Sequence, residues 1–248
     1  SGSVDVVVDE TAAQDLAAAG PANGEVSGKV SFAAVTGDIV DITLLEPGTR
    51  EVLPGLRTFT DESGNYALTG VPNGTFEIIA SLEKDGFVLD PDTSVTQGVP
   101  EVTIAEDAVT RDFKVTGSIM LSNPATVYGD DTVPQMSSTP TFEWIKESSY
   151  ASADDYAVEV VDESGNTVWG GFDETNNYTP RVTVPQGNNP SIAYDSDGTA
   201  TTALEPGRYY QIRVYAVVWD STSTGYTLLS ASETLDGMFK VEDPAAQQ

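Results

Sequence analysis

Apolar residues recur at every second position in runs too short for a helix, and this period constrains the fold more than any other feature. Val26, Gly28, Val30 and Phe32 alternate with polar residues, and Ile39, Val40, Ile42 and Leu44 form a second run. Further short runs follow at 57–60, 66–68, 75–82, 102–104 and 109–115. Between them lie Glu46-Pro47-Gly48, Asp61-Glu62-Ser63-Gly64-Asn65 and Pro72-Asn73-Gly74. Those are turn sequences with a cause, because Pro presets φ while Gly and Asn accept positive φ. Short β-branched runs punctuated in this way predict antiparallel sandwiches and not βαβ units. No stretch reads as a long helix, so the expected class is all-β, in two tandem antiparallel β-sandwiches.

Composition removes many functions. The chain of 248 residues has no His and no Cys. It therefore has no Ser-His-Asp or Cys-His nucleophile system, no imidazole or thiolate zinc site and no disulfide framework. With 39 acidic against 11 basic residues the formal charge is -28. Such a charge repels phosphate backbones, so neither nucleic acid nor an anionic membrane is an expected partner. Cations, basic proteins and neutral glycans are.

No window approaches the roughly 18 to 20 apolar residues of a membrane span, so no transmembrane segment is expected. Residues 1–24 are acidic and Ala-rich with Gly20-Pro21 and Asn23-Gly24 as breakers, and read as a flexible tether. Ser1-Gly2-Ser3 reads as a cloning scar, so a leader or lipid-anchor signal is expected upstream. The Thr, Ser, Asn and Asp content with strand-rich patterning favours an extracellular, cell-surface or periplasmic location in a bacterium.

The stretch Thr60-Asp61-Glu62-Ser63-Gly64-Asn65-Tyr66-Ala67-Leu68-Thr69-Gly70-Val71-Pro72-Asn73-Gly74-Thr75-Phe76-Glu77-Ile78-Ile79-Ala80 closely resembles the carboxypeptidase regulatory-like family. Phe76 replaces the commoner Tyr. With the opening strand, the resemblance covers residues 25–116 and implies a transthyretin-like sandwich acting as a spacer. The catalytic domain that gave that family its name is absent, since its zinc ligands include His. Read from the residues alone, Tyr66, Leu68, Phe76, Ile78 and Ala80 alternate onto one face of a hairpin, which places Glu77 on the polar face.

Residues 117–248 follow a second pattern. Phe142-Glu143-Trp144, Tyr156-Ala157-Val158-Glu159-Val160, Thr167-Val168-Trp169 and Leu204-Glu205-Pro206-Gly207-Arg208-Tyr209-Tyr210-Gln211-Ile212-Arg213-Val214-Tyr215-Ala216 resemble a fibronectin type III domain over about residues 122–242. In such sandwiches a Tyr at the start of the long strand turns its hydroxyl back to the upstream backbone, and Tyr210 is the candidate. Trp144 is then a core residue of an early strand. The segment 172–203 is longer and more polar than ordinary sandwich loops, and reads as a functional loop or as extra edge structure.

Paired acids are too numerous to identify a catalytic dyad, and neither resemblance implies a cleft that would hold one. No enzyme is expected. Calcium needs only oxygen ligands, and Asp195-Ser196-Asp197-Gly198 resembles the middle of a calcium loop, with Asp195 and Asp197 the candidate ligands. Asp130-Asp131, Asp154-Asp155 and Asp173-Glu174 lie in expected loops nearby. A full loop with its closing Glu is missing. Against the ion site stands the reading in which these acids cap turns and keep the surface soluble.

Exposed Trp and Tyr faces stack on sugar rings. Trp169 lies in an expected strand and reads as core. Trp219 has the opposite parity to Tyr210, Ile212, Val214 and Ala216, which turns it outward and leaves open exposure or packing under a loop. Tyr178 and Tyr194, in the polar segment, are the candidate ligand-binding aromatics. A third arrangement joins Lys29 to Asp112 beside Glu77, as in pilin-type isopeptide crosslinks, but alternation argues against a buried Glu there.

These readings combine into a non-enzymatic exported surface protein, a spacer followed by an adhesion or assembly module that binds a surface protein. The alternative is a carbohydrate-binding accessory protein that presents aromatics to a glycan.

Overall fold

Alternation decides where the strands lie in the computed structural model of the chain. It describes residues 23–32, 38–82, 86–91, 95, 99–105, 107–125, 132–146, 153–220 and 225–243. The expected tether therefore lies almost wholly outside the described residues. The strands are β1 (Gly24–Phe32), β2 (Asp41–Leu45), β3 (Val52–Phe59), β4 (Asn65–Val71), β5 (Gly74–Ser81), β6 (Phe87–Leu89), β7 (Glu101–Ile104), β8 (Val109–Thr110) and β9 (Phe113–Gly117). They continue as β10 (Leu121–Asn123), β11 (Gln135–Met136), β12 (Thr141–Trp144), β13 (Asp155–Asp162), β14 (Thr167–Gly170), β15 (Phe172–Asp173) and β16 (Thr179–Pro180). The last are β17 (Thr183–Pro185), β18 (Ser191–Ala193), β19 (Tyr209–Asp220), β20 (Gly225–Ala231) and β21 (Met238–Val241). The fold is all-β. Among the described residues no helix is long and apolar enough to cross a membrane.

The chain divides into two units, the first drawing on residues 23–30, 39–80 and 100–112 and the second on most of the rest. In the first, β3-β2-β5-β7 form one sheet, while β4 and β8 flank β1. Tyr66 and Leu68 are buried and their neighbours Asn65, Ala67 and Thr69 exposed, as period two requires. Val26, Val30, Ile42, Leu44, Ile78 and Ile104 complete the core. The Tyr66 hydroxyl donates to the Arg111 carbonyl at 2.5 Å. Burial, then the Asp112 charge, pushes that phenol up.

Alternation fails at Glu77, which is 9 % exposed instead of facing solvent. The turn after β2 folds over it: the Gly48 N–H donates to Glu77 Oε1 at 3.2 Å and Arg50 Nε lies 3.3 Å from Oε2. A sheet face is polar only where nothing covers it, and here a turn from another strand brings its own cation. Glu77 is thus engaged by Arg50. Asp112 accepts from the backbone N–H of Lys29 at 2.8 Å, and Lys29 is exposed.

In the second unit the main sheet runs β11-β21-β19-β13-β14, with β20 on β19 and β17 on β13; β10-β12-β18 form a second sheet. Tyr156, Val158, Val160, Trp169, Ile212, Val214 and Phe239 of the main sheet pack in one core with Phe142 and Trp144 of the second. Trp144 meets Tyr156 edge-on at 5.4 Å. The Tyr210 hydroxyl accepts from the Glu205 N–H at 3.1 Å, five residues upstream, and its ring stacks on Phe239 at 5.8 Å.

The other face of β19 is covered too. Tyr215 and Val217 are buried with Leu228 and Ala231, under Phe172 and Tyr226. Phe172 comes from the start of the long polar segment, which builds β15 to β18 and so adds structure at the sheet edges.

One pentapeptide, Asp-Glu-Ser-Gly-Asn, occurs at 61–65 and again at 162–166 and folds identically in both units. Asp61 Oδ1 accepts from the Ser63 and Asn65 N–H groups, and Asp162 Oδ1 from those of Ser164 and Asn166. Gly64 and Gly165 take φ of 81° and 82°. The Asn side chain, then its backbone N–H, holds each carboxyl below the ordinary carboxylate value.

Candidate functional site

Asp195 and Asp197 share one turn, and three of their four carboxylate oxygens accept hydrogen bonds from the protein. Asp195 Oδ1 accepts from the Ala200 N–H at 2.8 Å. Asp197 Oδ1 accepts from Trp169 Nε1 at 2.8 Å and Oδ2 from the Thr199 hydroxyl at 2.8 Å. Burial alone would raise the Asp197 carboxyl, but the bonds from Trp169 and Thr199 prevail and hold it below the ordinary value. Asp195 at φ 55° and Gly198 at φ 72° make the reversal.

Among the described residues, no three carboxylates come together to hold a metal ion. Asp173 caps the single turn Glu174–Asn176 by accepting from the Thr175 N–H at 3.0 Å and its hydroxyl at 2.7 Å. Asp130 and Asp131 lie outside the described residues. Melts at constant ionic strength in calcium and in excess EDTA are expected to coincide, because among the described residues no third carboxylate joins Asp195 and Asp197 to complete an oxygen site. A rise in Tm with calcium would show a site that binds the folded state.

Tyr194 precedes that turn and points inward. It is 7 % exposed, its hydroxyl donates to the Thr202 carbonyl at 2.6 Å, and its ring meets Trp169 edge-on at 5.3 Å. Burial, then the neighbouring Asp195 charge, pushes its phenol up to about 12. The ring proposed from sequence as a ligand platform is a wall of the core. The polar composition of its segment hid this, since the flanking Asp and Ser residues face solvent while the ring does not. Tyr178 stands apart from this turn. It is half-buried and follows Asn177, both with φ of 50°.

The β19–β20 hairpin carries an outward aromatic pair. Trp219 is 46 % exposed, whereas Trp144 and Trp169 are 2 % and 1 % exposed. Trp219 pairs across the strands with Tyr226, and their rings meet at 5.0 Å and 69°. The same face carries Val217 and Leu228, so this pair forms the rim of the smaller core. Next to it, a side chain at Gly225 would run into Asn177, which places the Asn177-Tyr178 turn beside the hairpin.

The backbone N–H of Trp219 donates to Asp154 Oδ2 at 2.9 Å, and Asp154 is exposed. Asp155 follows, its carboxyl raised by burial and then by the Asp154 charge. Parity placed Trp219 outward; the hairpin register joined it to Tyr226, and the pairing of β13 with β19 brought Asp154 beside it.

No protein family matches the chain, and no curated protein matches it. Solved structures with some likeness include a minor pilin of Streptococcus agalactiae, 20% identical with a TM-score of 0.30, over 39% of this chain and 45% of that one. This chain thus spans less than half of the pilin's length. A DUF3823 family protein from Bacteroides uniformis is 13% identical with a TM-score of 0.30, over 90% of this chain and 100% of the other. The major pilin SpaD of Corynebacterium diphtheriae is 10% identical with a TM-score of 0.27, over 85% and 64%.

Proposed function

We propose that the chain is a non-enzymatic module of a bacterial cell-surface protein, in which the first unit is a spacer and the second recognises a partner through Trp219 and Tyr226. The observation that carries this reading is the exposure of Trp219 in a unit that buries both of its other tryptophans. A half-exposed indole set edge-on against a tyrosine offers the flat, amphipathic aromatic surface that is enriched at interfaces. Two sandwich-type units of short strands supply the rigidity that an adhesion or assembly role needs. The acidic surface, at a formal charge of -28, opposes self-association.

A second reading, in which a glycan ring stacks on Trp219, draws on the same exposure and on the neighbouring Tyr178 turn. The test is an array of purified basic proteins and neutral glycans probed with the full chain and with Trp219→Ala. Loss of binding in the variant, at an unchanged melting temperature, is the expected result. Binding that survives the substitution would move recognition elsewhere, and a silent array would reduce the chain to a spacer.

A further inference from the structure

Three large aromatic rings stand exposed among the described residues: Phe59 at 53 %, Tyr209 at 42 % and Trp219 at 46 %. Two of them carry a cation from the chain itself. Arg57 lies over the Phe59 ring, 5.0 Å from its centroid, and Lys240 lies over Tyr209 at 5.3 Å. The described residues place no such cation over Trp219. Indole offers the most attractive face for a cation of the three ring types. A carboxylate is nevertheless already there, since exposed Asp154 is held against the Trp219 backbone at 2.9 Å. Tyr226, at 69° to the indole, makes a second wall.

We propose that the Trp219–Tyr226 corner takes a Lys or Arg side chain from a basic segment of a partner protein, the rings facing its cationic head and Asp154 supplying the counter-charge. This rests on the reading that recognition lies at Trp219, and adds the chemistry of what is recognised. Charge complementarity selects this occupant over a neutral one. With 39 acidic and 11 basic residues the chain attracts basic segments from a distance. The corner then adds what a diffuse field lacks, a fixed place for one cation. The Asp155 carboxyl, raised by burial and then by the Asp154 charge, is relieved of the second of these when a cation arrives beside the pair.

The experiment is a titration of the full chain with tetralysine, and with tetralysine acetylated on every amine, followed by tryptophan emission and by calorimetry. Because Trp144 and Trp169 are buried, the emission change reports on Trp219. Saturable binding of tetralysine but not of the acetylated peptide is expected. Asp154→Asn, which keeps an acceptor for the Trp219 N–H, is expected to weaken binding about 2- to 5-fold, and Trp219→Ala, read by calorimetry, by a similar factor.

Equal binding of the acetylated peptide would overturn the inference, as would an unchanged affinity in Asp154→Asn. Unchanged affinity in Trp219→Ala would show that only the general negative field attracts the peptide, and would sink the Trp219 reading as well. Binding of a neutral glycan that depends on Trp219, with none of tetralysine, would leave that reading standing and remove the cation. Since Trp219 is exposed, melting temperatures close to that of the unaltered chain are expected for both variants.

Discussion

Replacing Tyr194 by Ala is expected to cost about 3–5 kcal/mol of stability, the range for removing a buried aromatic. The ring fills space against Trp169 and is 7 % exposed, so its loss leaves a cavity bounded by a residue that cannot move far. Tyr194→Phe keeps the ring and loses only the bond to the Thr202 carbonyl, for about 1 kcal/mol. Denaturant unfolding of the two variants gives both numbers. A loss near 1 kcal/mol for Ala would mean that Tyr194 is a surface ring.

The same corner contains a companion test at Asp197. Asp197→Ala strands the buried Trp169 N–H and is expected to cost about 1–3 kcal/mol, whereas Asp197→Asn keeps an acceptor and costs less. Because the folded carboxyl is lowered, its stabilising contribution is complete above the ordinary carboxylate range. It is lost as the pH falls through the lowered folded value.

Gly237→Ala is expected to be comparably severe, for two reasons that add. Its φ of 77° belongs to the left-handed region, where a Cβ costs roughly 1–2 kcal/mol. The added carbon would also stand 2.2 Å from the Ile212 carbonyl oxygen and 2.8 Å from Leu121 Cδ1. Relief requires parting Gly237 from β19, where its carbonyl accepts from the Ile212 N–H at 3.0 Å. A total of about 3 kcal/mol or more is therefore expected. Gly165→Ala is the control. It has φ 82° but open space around the new carbon, so only the backbone cost of roughly 1–2 kcal/mol should appear. Equal losses at the two positions would show that the contact at Gly237 relaxes freely.

Much of the fold could be read along the chain because the signals were local. Tyr66 and Leu68 sit two apart and share a face. Tyr210 lies five residues from the Glu205 N–H that its hydroxyl accepts, so its role too was written in a short spacing. The candidate site was less legible. Parity turned Trp219 outward, but Tyr215 and Val217 have the same parity and are buried. The difference is Phe172, more than forty positions upstream, whose ring meets Tyr215 at 5.1 Å. Tyr178 and Tyr194 looked alike in sequence, both set in polar stretches rich in Asn and Asp. One became a half-buried turn residue and the other a core wall.

By itself, the sequence determined the strand class, the turns and the chemistry the chain cannot perform. Period two, the turn residues and the absence of His and Cys act through neighbours a few positions apart or through composition, and need no knowledge of what lies across a sheet. The tertiary structure alone decided which residues are covered. Glu77 was buried by the turn carrying Arg50, Tyr194 was drawn against Trp169, and Trp219 was left half in water beside Asp154. Burial depends on what packs against a face, and that partner comes from a distant part of the chain which alternation does not encode.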